Sequence, residues 1–249
     1  MKFLALLSAS LLCLSGQQTS TESPHRCSEV TQTSRLLQAA NAPSDEDLKA
    51  AGSACERYFT LMRDRQPDAA QTALVNANAT MDRIGLTEMA IFVRFERAAA
   101  GVAGIQRFYV LADLAKTAFN LGEIGKAEAL ARELLLEAPK YPKDWNYGNA
   151  LYYGNFVLGR IALRRGDAPA AGKYLVESAH TPGSPQLNSF GPNVTLAKDL
   201  LEKGVTAPVL EYFALCKNFW KADRGQLDGW IATVRRGSVP KFFGGNLEY

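Results

Sequence analysis

Three cations recur at one register of this chain. Lys116, Arg160 and Lys198 each stand two residues after a leucine (Leu114, Leu158, Leu196), and Asn120, Arg164 and Glu202 stand six residues after the same leucines. Lysine and arginine aligned in this way can hold a carboxylate through charge-assisted hydrogen bonds, which are roughly twice as strong as neutral ones. Tyr109, Phe119, Tyr153 and Phe156 flank the cations and can add apolar contact. The chemistry implied is capture of a carboxylate, with Lys116, Tyr153, Phe156, Arg160, Arg164 and Lys198 as its contacts. The plainer alternative is a solvated helix face whose long side chains cover apolar neighbours.

A second concentration of polar and aromatic groups lies downstream. DWNYGNALYYGN (144–155) gathers Tyr147, Asn149, Tyr152, Tyr153 and Asn155 at one helix start, and the His180–Asn193 loop adds Asn188, Ser189 and Asn193. Aromatic stacking with amide hydrogen bonds suits a sugar or a peptide, so the space between this helix start and the loop is the site of an alternative enzyme or carbohydrate-binding function. Against it stands a packing role, with Trp145 and Tyr152 in the core and the asparagines as caps. The loop itself, rich in Pro, Gly, Ser and Asn, reads as a rigid plug with Leu187 and Phe190 tucked beneath it, and His180 as a helix C-cap partner.

Enzyme signatures are missing. The chain has no G-x-S-x-G, P-loop, G-x-G-x-x-G or H-E-x-x-H. Two histidines and no Cys/His ligand spacing give no basis for a metal or other cofactor. Lys and Arg total 28 against 25 Asp and Glu, a net charge of +3 with no long basic run, so a nucleic-acid partner is not indicated. Asn78 and Asn193 each open an N-x-T triplet, relevant only in a glycosylating host.

These residues must be carried by helices. Apolar residues recur with helical spacing from Ser44 onward, Ser44 and Asp47 form an S-x-x-D cap, and no stretch alternates in the manner of a strand. The expected fold class is all-α, with helices over 44–64, 67–82, 86–100, 104–121, 124–138, 144–165, 168–180, 193–203, 206–221 and 223–236. Pro67, Gly85, Gly101, Gly122, Pro139, Pro142, Gly166 and Gly204 mark the breaks. Two of these segments repeat: Leu114, Gly122, Glu123, Ala127 and Leu134 return 44 residues on as Leu158, Gly166, Asp167, Ala171 and Ser178. Leu196 and Gly204 return another 38 residues on, with Val209 in place of the alanine. The glycine ends one helix, the acidic residue starts the next, and the alanine lets the two approach closely.

The pattern L-x7-G-[DE]-x3-A, with Pro139 closing the first unit, resembles the tetratricopeptide repeat over residues 106–221. The spacing departs from the family period of about 34 residues, because KYPKDWNYGN and the loop after Ala179 add length. The resemblance implies antiparallel hairpins stacked as a short solenoid, whose first helices line a concave groove that binds a peptide or protein partner through an acidic segment or a C-terminal carboxylate. TPGSPQLNSFGPN (181–193) and the helices after it also resemble a stretch of uncharacterised exported bacterial helical-repeat proteins, a likeness that bears on fold more than on activity.

The N-terminus reads as an address. Lys2 and the 12-residue apolar run Phe3–Leu14, followed by Ser15 and Gly16, have the layout of a cleaved secretory signal, which places the protein in a periplasm or outside the cell. A lipid anchor at Cys13, with envelope association, is the alternative; Leu12 is a poor residue to precede it. No apolar run is long enough for a transmembrane segment. The expected organisation is signal 1–16, flexible arm 17–42, helical repeat domain 43–238 and C-terminal tail 239–249, its phenylalanines packed on the last helix. In an oxidising compartment Cys27 and Cys55 are the expected disulfide, tying the arm to the first helix, with Cys216 a small core residue; three unpaired thiols are the alternative.

Overall fold

The computed structural model describes residues 25–39 and 45–242. The signal and Cys13, residues 17–24 and 40–42 of the arm, 43–44 at the start of the repeat domain with the Ser44 cap, and 243–249 of the tail lie outside them. Most of the described residues are helical, and no strand occurs among them.

Ten of the twelve α-helices fall where hydrophobic period and breakers put them: α2 (Glu46–Arg63), α3 (Pro67–Arg83), α4 (Glu88–Ala100), α5 (Gly104–Asn120), α6 (Ile124–Glu137), α7 (Tyr147–Arg164), α8 (Ala168–Ala179), α10 (Thr195–Glu202), α11 (Ala207–Cys216) and α12 (Gln226–Arg235). Asp45, Thr87 and Asp167 start α2, α4 and α8 by accepting the backbone N–H three residues on. The first helices of the repeat end alike. Gly122, Gly166 and Gly204 sit at φ 81°, 85° and 76°. The next N–H reaches back five residues in each case, Glu123 to Ala118, Asp167 to Ala162 and Val205 to Leu200, at 2.9 Å every time. This is the Schellman ending, which favours a residue without Cβ at the left-handed position.

Two helices depart from expectation. Residues 25–39, assigned to a flexible arm, form α1 (His25–Ala39), which packs on α2 and α4. Its polar sequence has almost no helical periodicity, and tertiary ties hold it instead. A disulfide joins Cys27 to Cys55 on α2. The buried Arg26 donates to Asp82 Oδ1 (2.8 Å) and to the Leu86 carbonyl (2.7 Å). Within the 180–193 loop, Ser184 caps a short α9 (Pro185–Phe190). Leu187 is buried there, but Phe190 is 75% exposed rather than tucked under the loop.

Packing runs in chain order: α5 on α6, both on α7, α7 on α8, and α8 on α10 and α11. The core divides accordingly into a small cluster under α1–α4, a second from α4 to α7, and a third from α7 to α12 rich in Tyr, Phe and Trp. Helix α7 serves both of the last two, and its glycines allow the approach. A Cβ at Gly148 would lie 1.8 Å from the Gly183 carbonyl oxygen, and one at Gly159 would lie 2.5 Å from Leu196. Past α12 the chain returns Phe242 onto Phe213 and Trp230.

Candidate functional site

Helices α5, α7 and α10 are enclosed along most of their length, and each carries a partly exposed stripe. On α5, every residue from Phe108 to Asn120 is buried except Tyr109, Asp113, Lys116 and Asn120. Their spacing of four, three and four keeps them on one side of a helix with 3.6 residues per turn. The matching stripe on α7 holds Tyr153, Arg160 and Arg164; that on α10 holds Thr195, Asp199 and Glu202, with Lys198 beside it.

Cation–π contacts and hydrogen bonds join the stripes. Lys116 Nζ lies 4.6 Å from the centre of the Tyr153 ring. Arg160 and Arg164 hold their guanidinium carbons 5.0 and 5.8 Å from the Phe119 ring. Arg160 Nη1 donates to Thr195 Oγ1 at 2.8 Å, and its Nε is 3.9 Å from Asp199 Oδ2. Between α5, α7 and α10 this leaves a cleft of about 510 Å³. Phe119 and Leu163 give it apolar wall, Arg160, Arg164 and Lys203 positive charge, and Asp199 and Glu202 negative charge.

The cations do not stand as an uncompensated column. Lys116 pairs with Asp113 at 2.7 Å and Lys198 with Glu202 at 3.1 Å. Burial pulls the Lys116 ammonium down, but the Asp113 carboxylate beside it more than offsets this, and its pKa lies above the usual lysine value. Among the described residues no carboxylate pairs with Arg164, and this exposed guanidinium is the cleft's available charge.

Two residues expected at the groove are elsewhere. Phe156 is fully buried, stacked on Tyr152 at 5.7 Å within the third core. Lys198 stays outside the cleft, because α10 presents Asp199 to Arg160 at the height where the leucine count placed the lysine. Lys203, at the end of α10, lines the cleft instead. Counting from Leu196 could not find it, since Lys203 belongs to the last turn before Gly204, where the backbone leaves the helix.

The second expected patch is held together by its own polar groups. The buried Asn149 accepts from Ser184 Oγ (2.6 Å) and donates to Asn146 Oδ1 (3.0 Å) and Gln186 Oε1 (3.3 Å). Asn193 Oδ1 accepts from the Thr195 N–H and hydroxyl, starting α10, and Asn188 Oδ1 accepts from the Lys221 N–H. Tyr147 is half-buried against the second core, and Ser189 is exposed. Below them Tyr152 and Tyr212 touch each other at 2.7 Å and both reach the Asn193 carbonyl, at 2.9 and 2.8 Å. Burial holds both phenols and the neighbouring Cys216 thiol well above their ordinary pKa values, so all three stay protonated. His180 is the C-cap residue of α8. Asn78 and Asn193 are both buried, which closes them to glycan attachment in the folded chain.

At the other end of the open α5 stripe is a pair that the core assignment of Trp145 misses. Trp145 is 49% exposed, its ring 5.5 Å from that of Tyr109. The Tyr109 hydroxyl donates to Asp144 Oδ2 and the Asn146 N–H to Asp144 Oδ1, both at 2.8 Å. The bond to Asp144 is the main reason the Tyr109 phenol sits above its usual pKa.

Among the described residues no group of three or more His, Cys, Asp or Glu is placed to hold a metal ion, and no helix is long and apolar enough to cross a membrane. Compared with protein-family models, with curated proteins and with solved structures, the chain matches none.

Proposed function

We propose that the chain is an exported, tetratricopeptide-like scaffold that binds an extended peptide segment along the open face of α5, α7 and α10. The observation that carries this reading is the set of three stripes. Each first helix of a repeat is largely enclosed and carries a partly exposed stripe, and the three stripes meet at a cleft furnished with an arginine that, among the described residues, lacks a carboxylate partner. The stacked-hairpin arrangement is supported by the chain-order packing and by three identical helix endings. Export is supported by the leader-like N-terminus and by the Cys27–Cys55 disulfide, a bond that persists in oxidising compartments.

The mixed charge of the cleft refines what it takes. Asp199 and Glu202 oppose a polyanion, so the ligand places one carboxylate, or a short acidic cluster, at Arg164 and Lys203 and packs its aliphatic part on Phe119 and Leu163. A peptide ending in two aspartates should bind at least about ten-fold more weakly when salt is raised from about 50 to about 500 mM, because exposed charges are then screened within a few ångströms. Arg164→Glu should weaken it by a similar factor and Lys198→Glu much less, both read by calorimetry. A dissociation constant indifferent to salt and to Arg164→Glu would remove the cleft as the contact.

A further inference from the structure

The open stripe of α5 continues past the cleft, and its far end is furnished differently. From Asn120 back to Tyr109 the stripe runs about 16 Å at 1.5 Å per residue, and it ends where Trp145 lies against Tyr109. Half of the Trp145 surface faces solvent, whereas Trp220 and Trp230, the other two tryptophans of the chain, are buried. The indole is not a loose side chain. Its neighbours in sequence are pinned on both sides, Asp144 by the Tyr109 hydroxyl and Asn146 by Asp144 itself. The Trp145 ring itself lies tilted at 31° against the Tyr109 ring. A large ring already held in place loses little freedom when a ligand stacks on it, which is what makes aromatic side chains effective anchors.

Resting on the groove reading above, we infer that the Tyr109–Trp145 pair is a ring-binding station, and that the peptide taken by this face carries an aromatic or proline ring about four to five residues from the carboxylate received at Arg164. The spacing follows from lengths. The station and the cleft are about 15 Å apart along α5, and an extended peptide advances about 3.3 Å per residue. Between them the stripe offers Asp113 and Lys116, an ion pair lying against Tyr153. A backbone can run over such a pair without adding net charge. A sugar would also stack on an indole, but it needs polar groups in a ring around the stacking face. Those nearest, Asp144, Asn146 and Asn149, are engaged with Tyr109, with one another and with Ser184.

The test uses the full chain and three acetylated peptides. Each has one phenylalanine separated from a C-terminal aspartate by one, four or nine Gly/Ser residues. The four-residue spacer should bind at least about five-fold more tightly than the other two by calorimetry, and it alone should protect Trp145 from acrylamide quenching. Trp145→Ala, with an unchanged helical circular dichroism spectrum, should reduce that peptide to the affinity of the others; Arg164→Glu should weaken all three. Equal affinity for the three spacers, or a ranking that survives Trp145→Ala, overturns the station while Arg164 dependence keeps the groove. Binding by none of them, with or without Arg164→Glu, overturns both. Protection of Trp145 by maltohexaose and by no peptide makes the station a sugar site and overturns the peptide assignment.

Discussion

The N-terminal helices α1–α4 and the array from α5 onward solve the same packing problem with different means. The array stacks rings: its terminal core holds Tyr152, Phe156, Tyr212, Phe213, Trp220 and Trp230, and glycines on α7 admit neighbouring backbone and side chains at short range. Among the described residues, the core under α1–α4 contains no buried aromatic ring and is built from Leu, Ile, Val, Met, Ala and two half-cystines. What it lacks in apolar area is supplied by point ties: the Cys27–Cys55 bond, the buried Arg26 with Asp82 and the Leu86 carbonyl, and the buried Glu29 accepting from Thr117 of α5 at 3.1 Å. Point ties answer to redox and pH, and ring packing does not. The contrast therefore predicts different responses from the two regions of one chain.

The largest effect should come from removing the disulfide. It closes a loop with a sequence separation of 28, for which loop entropy gives about 3.5 kcal/mol. Cys27→Ser/Cys55→Ser should lose hydrogen-exchange protection in α1–α3 while α7, α8 and α11 keep theirs. Uniform loss along the chain would show that the two regions are one cooperative unit.

Glu29 should make the same region pH-dependent. Burial, aided by the charges of Glu88 and Asp113 and opposed by the Thr117 hydrogen bond and Arg26, raises its pKa from 4.5 to about 7. The fold thus favours the protonated acid: its contribution is fully present below pH about 4.5 and is lost as pH rises through about 7. Glu29→Gln keeps an acceptor for Thr117 and removes the titration. It should match the wild type near pH 4.5 and exceed its stability by about 3 kcal/mol at pH 8, at about 1.4 kcal/mol per pH unit. Parallel stability curves for the two proteins between these pH values would refute the assignment.

Gly148→Ala tests the array. The new methyl would press on the Gly183 backbone, which cannot swing aside as a side chain would, and the cost should be about 2–3 kcal/mol. The loss should be centred on α7 and α9 and independent of pH and reductant. The smallest effect separates the helix endings. Gly122, Gly166 and Gly204 occupy the left-handed position in the array, but at the end of α2 that position is held by Arg65, at φ 56°. The Gln66 N–H still reaches back to the Leu61 carbonyl at 3.0 Å. Arg65→Gly should relieve about 1 kcal/mol of backbone strain, seen as a higher melting temperature; Gly166→Arg should lower it.

Helix positions from α2 to α8 and from α10 to α12 were legible because their signals act within a few residues. Pro67 fits the first turn of α3, Asp167 caps α8, and Gly122 accepts the left-handed turn whatever the helix later packs against. The all-α class and the spacing of the open stripe on α5 follow from the same short-range rules. Helix α1 was not legible, since Ser, Thr and Gln carry little periodic pattern and its order comes from bonds to α2, α3 and α5. The partners of the cations were not legible either. Lysine and arginine reach for whatever carboxylate the neighbouring helix presents, and the pairing of Arg160 with Asp199 depends on how α10 is rotated against α7. Phe156 and Trp145 exchanged their expected places for a similar reason. Two turns of one helix, or a helix and its leading loop, look alike in composition, and only the packed neighbours decide which ring is covered. Local backbone preference thus wrote the elements and their ends, whereas the charge and the aromatic stations of the open face arose from the rotation and contact of helices distant in the chain.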